Sequence, residues 1–141
     1  FLIKIKNKQQ KNKIMQYGFS KTTEYKFDQA IDKVTEELKK EGFGVLTTIN
    51  VKDTLKKKID VDFKNYTILG ACNPPFAHQV LQAEEEIGLL LPCNVIVYEK
   101  DDKTVVSVFD PMTMTAVIDN PKIKTVAEEV KKKLERVLKA V

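Results

Sequence analysis

The chain has 141 residues, 43% hydrophobic and 31% charged, which is enough for one packed domain and too little for two. That balance excludes a disordered chain, five glycines and five prolines exclude collagen-like and low-complexity sequence, and no apolar run approaches the roughly 20 residues of a membrane-spanning helix. The net charge of +4 is concentrated in residues 1–14, which hold five lysines and no acid; the rest carries 19 basic against 20 acidic residues and has no basic patch for nucleic acid.

Residues 1–14 read as an added or upstream-encoded arm, and residues 15–141 as a single domain starting at Met15. The arm's alternating Phe1, Ile3 and Ile5 would suit an edge strand as well as a helix or an extended arm. Residues 17–23 form a first predicted strand. Phe27, Ala30, Ile31, Val34 and Leu38 then mark one face of a helix, with Lys33/Glu37 and Glu36/Lys40 pairs on its wet side. Gly42 stands where a left-handed residue should end it. Lys26 occupies the position before this helix, where a serine cap would suit.

Residues 43–49 are a second strand. Asn50 caps a short helix through Ile59, and Lys56, Lys57 and Lys58 fall in its last turn, where cations favour a helix C-terminus. Tyr66 to Cys72 is a third strand, stopped by Pro74 and Pro75, which also suit the start of a helix bearing Phe76, Ala77, Val80 and Leu81. Residues 89–98 contain a fourth strand, residues 100–103 a turn, and residues 104–109 its hairpin partner. Asn120 and Pro121 open a C-terminal helix striped by Ile123, Val126, Ala127, Val130, Leu134, Val137, Leu138 and Val141.

These elements predict an α+β two-layer sandwich: a mostly antiparallel sheet of about five strands with two long helices on one face. Val95, Val97, Val105 and Phe109 point to an apolar second face, which a homodimer would cover.

The chemistry-bearing residues are few. Cys72 ends a strand beside a helix N-terminus, where backbone N–H groups can stabilise a thiolate; His78 follows in that helix, and Cys93 opens the next strand. Asn73 and Asn94 each follow a cysteine. Three readings stand side by side: two cysteines buried as small hydrophobes, a redox or nucleophilic thiol site, or a small-ligand or metal site from Cys72, Cys93 and His78. No fourth zinc ligand is evident. A disulfide is possible in principle, but a chain without a secretory pattern is expected in the reducing cytoplasm. Glu84, Glu85 and Glu86 read as a solvated helix end, Asp60 and Asp62 as turn residues, and Met112 and Met114 as packing. Phosphate-loop, GxSxG and HExxH patterns are absent.

The segments ILGACNPP and GLLLPCNVIVYE, with the strand YGFSKTT and the run EGFGVLTTINVKDTLKKK, closely resemble the family known as domain of unknown function 302. The resemblance runs from about Met15 to Val141. It implies a β-α-β-β-β-β-α order like a single TATA-binding-protein unit, a tendency to dimerise, and no assigned activity. It implies that Cys72, Asn73, Pro74, Cys93 and Asn94 are the positions to test. A likeness of fold to a DNA-binding protein does not carry its function over.

The expected function is a dimeric, cytoplasmic binding module holding a small molecule or metal near Cys72, Asn73, His78, Cys93 and Asn94. The alternatives are a thiol-based redox or sulfur-handling enzyme and a structural dimerisation scaffold.

Overall fold

The computed structural model describes residues 17–141, so the arm at 1–14 and the start at Met15 lie outside the described residues. Five strands form one antiparallel sheet: β1 (Gly18–Thr23), β2 (Gly44–Asn50), β3 (Tyr66–Cys72), β4 (Cys93–Lys100) and β5 (Lys103–Phe109), in spatial order β1-β5-β4-β3-β2. Four α-helices join them: α1 (Phe27–Lys40), α2 (Val51–Ile59), α3 (Pro74–Ala83) and α4 (Pro121–Ala140). The expected β-α-β-β-β-β-α order is present, with α2 inserted between β2 and β3 and α3 between β3 and β4. Two 3₁₀ turns, Glu85–Leu90 and Pro111–Ala116, were not visible as elements in the sequence pattern.

The helices form because their apolar residues recur on one side. Ala30, Val34 and Leu38 of α1 are buried, as are Ile123, Val126, Ala127, Val130, Leu134, Val137 and Leu138 of α4. These stripes pack on one sheet face, against Leu69, Ala71, Val95, Val97, Val106 and Val108. Val95 and Val97 therefore belong to the helix-covered face, not to the second face expected for them; β-branched residues on both pleats of a strand hide which side is inside. Lys21 of β1 reaches the end of α4, where its ammonium donates to the carbonyls of Lys139 and Val141 and offsets the negative end of that helix.

Glu37 departs from its expected wet position. It is buried, and its carboxylate accepts from Lys40 at 2.8 Å and Lys33 at 3.2 Å. Those two ammonium groups hold its carboxyl below the usual range. Lys26 offers no side-chain cap to α1; its backbone N–H instead donates to Gln29 Oε1 at 3.3 Å.

The C-terminus of α1 prepares the site. Gly42 has φ +87°, its N–H reaches the Lys39 carbonyl at 3.1 Å, and the Phe43 N–H reaches the Leu38 carbonyl at 2.9 Å. This Schellman arrangement turns the chain so that Phe43 points into the core. Glu41, just before the turn, is gripped by Arg136 of α4 at 2.8 Å.

That grip makes an acid-sensitive tie. Arg136 hydrogen-bonds the Glu41 carboxyl and holds it below its ordinary value of 4.5. A depressed carboxylate stabilises the fold above its unfolded pKa, and the contribution is lost as pH falls through the folded value. The Glu41→Gln variant should therefore lose less stability than the parent between pH 5 and 3 (about the window of an unfolded carboxylate). Urea midpoints that fall equally with pH in both proteins would show that this tie carries none of the acid sensitivity.

Candidate functional site

The site forms at one end of β3 and β4. Ala71 pairs with Cys93 across these strands, so both lie on the helix-facing side, while the next residue, Asn94, pairs with Gly70 on the opposite pleat. Cys72 ends β3, and Pro74 and Pro75 immediately begin α3; proline's fixed φ suits a first helical turn. The Leu91-Pro92 segment then brings the chain back into β4.

Between these strand ends, α3 and α4 lies a small cavity of about 50 Å³. By the same measure one water needs about 10–15 Å³, so the space admits a group of only a few heavy atoms. Its deep wall is made of buried residues, including Phe43, Cys93, Met114 and Ala127. Its outer rim is made of half-exposed ones, Cys72, Phe76, Ala77, Leu91 and Pro92. The walls are almost wholly apolar, with Cys72, Cys93 and Met114 among the lining residues and Asn73 the one amide-bearing residue.

The two cysteines thus line one cavity, Cys93 at its deep wall and Cys72 at its rim. Cys93 is buried, and its thiol is pushed up to about 11, first by loss of solvent and then by electrostatic interaction with nearby Cys72. At neutral pH it is an uncharged thiol. The end of α3 beside Cys72 is poorer in donors than the sequence implied. Pro74 and Pro75 have no N–H, and the Ala77 N–H is bound to the Asn73 carbonyl at 2.9 Å. Phe76 is the remaining first-turn amide.

Asn73 joins the cavity wall, but its side chain has a structural task. Nδ2 donates to the Glu41 carbonyl at 3.2 Å and closes the end of α1 over the cavity. A Cβ at Gly42 would stand 3.1 Å from that nitrogen, which explains why a residue without a side chain is accommodated there.

His78 is not gathered with the thiols. It is exposed on α3, whereas Phe76, Ala77 and Val80 of the same helix line the cavity. Each helical step turns a side chain by about 100°, so His78 points away from that face. Asn94 is exposed too and lines a cleft on the other sheet face. Among the described residues, no group of three or more His, Cys, Asp or Glu side chains is arranged to hold a metal ion.

Met114, read from the sequence as packing, is buried in the core and also lines the cavity. It lies on the second 3₁₀ turn, which Asp110 caps by accepting the Met112 N–H at 2.9 Å and anchors to α4 through Lys131 at 2.9 Å. That turn delivers Met114, 4% exposed, into the cavity, while Met112 stays half-buried outside it. The other charged candidates have ordinary roles. Lys56 pairs with Asp60 at 2.9 Å and Asp62 at 3.1 Å on the exposed end of α2, and Glu85 and Glu86 are exposed.

Among the described residues, the long helices α1 and α4 pack on one sheet face and leave the other without either of them. Tyr66, Ile68, Ile96, Tyr98, Val105 and Phe109 form its centre. Tyr66 and Tyr98 stack with ring centroids 5.4 Å apart, and Phe63 extends the ring cluster. No acidic or basic residue projects from these central positions.

The profile of the family described as "Domain of unknown function DUF302" matches residues 19–141. The chain is similar to the crystal structure of an uncharacterized conserved DUF302 protein from Bacillus stearothermophilus, with 29% identity, a TM-score of 0.83, and coverage of 89% of this chain and 98% of that one. No curated protein matches.

Proposed function

Because the chain belongs to the DUF302 family, a grouping that carries no activity, we propose from the geometry that it is a dimeric binding module whose ligand enters the sulfur-lined cavity. The observation that carries this reading is the joint placement of Cys72 and Cys93 around one apolar cavity with a half-exposed rim. A small, uncharged, polarisable molecule fits such walls, because a hydrated ion would lose its water there without polar replacement. Cytoplasmic residence accords with two unpaired cysteines. A thiol-enzyme reading draws less support, since Cys93 is held protonated and two prolines remove amide donors beside Cys72.

Dimethyl sulfide is a suitable probe, being small, neutral and polarisable. Methyl resonances of Met114, Val80 and Val126 should shift on its addition, and Cys72 should alkylate more slowly in its presence. Filling the space with Ala127→Leu should abolish both effects. Unshifted methyls in the parent protein would remove the binding reading.

The second component is pairing through the free sheet face. Five strands spaced about 4.8 Å apart and about 20 Å long present a projected area on the order of 500 Å². Side-chain relief brings that toward the roughly 800 Å² per partner of a standard interface. A face whose centre is uncharged does not repel its own copy and gives phosphate nothing to bind. Sedimentation should show a dimer for the parent and a monomer with unchanged circular dichroism for Ile96→Lys. A parent that sediments as a monomer at tens of micromolar would refute the pairing.

A further inference from the structure

The opposite end of β3 and β4 from the cysteine-lined cavity carries a second cleft, which stands independently of the binding reading above. On the helix-facing pleat the apolar pair Val97–Val106 is followed by a polar row. Thr23 of β1 pairs with Thr104 of β5, and Thr104 pairs with Glu99 of β4. The Glu99 N–H then reaches the carbonyl of Asn65, just before β3, at 3.0 Å. The two-residue period of a strand puts these four side chains on the same side as Val97 and Val106. All four line a cleft of about 570 Å³, within the usual range for small-molecule sites. The first turn of α1, from Lys26 to Gln29, lines it too, and the hairpin between β4 and β5 brings in Asp102.

Three groups in this cleft have hydrogen-bonding capacity to give. Thr104 is only 4% exposed, and among the described residues its hydroxyl has no hydrogen-bond partner. A hydroxyl so buried is costly unless it is bonded. Glu99 accepts from Asn65 Nδ2 through Oε1, which leaves Oε2 for a second donor. At α1, Lys26 provides no side-chain cap, so first-turn N–H groups are available to an acceptor. Those N–H groups and the positive end of a 14-residue helix favour a carboxylate.

Donors on one side and acceptors on the other suit a zwitterion. The remaining charges specify it further. Lys103 is paired with Glu24 at 3.2 Å. That leaves Lys26 as the unpaired cation of the lining, against the carboxylates of Asp28, Glu99 and Asp102. Asp28 stands in the first turn of α1 and complements the helix dipole. Glu99 and Asp102 are then two carboxylates for two positive groups. We propose that this cleft binds an α-amino acid with a basic side chain. Its carboxylate lies at the first turn of α1 beside Lys26, its α-ammonium at Glu99 and Thr104, and its side-chain cation at Asp102. A diamine fits less well, because it leaves the α1 N–H groups without an anion and sets a cation against the positive helix end.

L-Lysine is the probe, titrated into the whole ¹⁵N-labelled chain at low ionic strength. Amide resonances of Asp28, Gln29, Asp102 and Thr104 should shift together along one binding curve. Cadaverine lacks the carboxylate and L-norleucine lacks the side-chain ammonium, so each should bind about tenfold or more weakly. Thr104→Val and Glu99→Gln keep the side-chain shape and should each weaken L-lysine binding by about tenfold. Their thermal unfolding, measured alongside, shows whether each variant keeps its fold. Glu86→Gln removes an exposed carboxylate elsewhere and should leave binding unchanged. Absence of shifts at millimolar L-lysine would overturn the proposal. So would cadaverine or L-norleucine binding as tightly as L-lysine, or undiminished binding in folded Glu99→Gln and Thr104→Val. Dimethyl sulfide shifts at the other cavity report on the earlier reading alone, so the two sites stand or fall separately.

Discussion

Leu134→Ala is expected to destabilise the domain by about 2–5 kcal/mol, the range for truncating a fully buried leucine where the surroundings cannot collapse. Leu134 is at 0% exposure on α4, in the stripe that also contains Val130 and Val137. The helix is pinned at both ends, by the Asn120 cap accepting the Lys122 N–H at 3.0 Å and by Lys21 at its last carbonyls. Pinned ends limit how far the helix can settle into the space left by the lost side chain, which argues for the upper half of the range. Denaturant unfolding of parent and variant measures the difference. A loss below about 1 kcal/mol would mean that this stripe is not close-packed on the sheet.

Gly70→Ala should cost about 1–3 kcal/mol through overpacking and should also disturb the cavity rim. A Cβ at Gly70 would run into Thr47 Oγ1 and stand 2.9 Å from Pro92 Cγ. The threonine can rotate; the proline ring can move only with its backbone, and Pro92 is both a rim residue and the neighbour of Cys93. The variant should therefore lose stability and change the alkylation rate of Cys72 as well. Gly88→Ala is the matched control, because a Cβ there meets nothing within 4 Å. Equal stability of the two variants would show that Pro92 does not rest on Gly70.

What could be read from the sequence was whatever repeats. The α4 stripe, the Asn120 cap and the Gly42 stop are periodic or local signals, and each matches the structure. That Cys72 and Cys93 would stand at adjoining strand ends was legible as a conditional on neighbouring strands, and β3 does pair with β4, with Ala71 opposite Cys93. His78 was drawn in by nearness along the chain, although two residues along a helix are about 200° apart around its axis. Asn94 was drawn in by its neighbour, although adjacent strand residues face opposite ways. Met114 was read as packing, as it is, but its place at the cavity was not legible because a short 3₁₀ turn after Asp110-Pro111 has no hydrophobic period to detect. The burial of Glu37 was hidden because an i,i+4 pattern reads alike on wet and dry sides of a helix.

One border of the sheet carries its own guard against uncontrolled strand addition. Among the described residues, no strand pairs with the outer side of β2 (Gly44–Asn50), which contains no charged residue or proline and exposes Leu46 at 68%. Such a margin would ordinarily template fibre growth. The irregularity between Val45 and Thr47 breaks its spacing near the start of the strand. An incoming strand cannot follow that margin in step along its length, so open-ended polymerisation is checked at its first rungs.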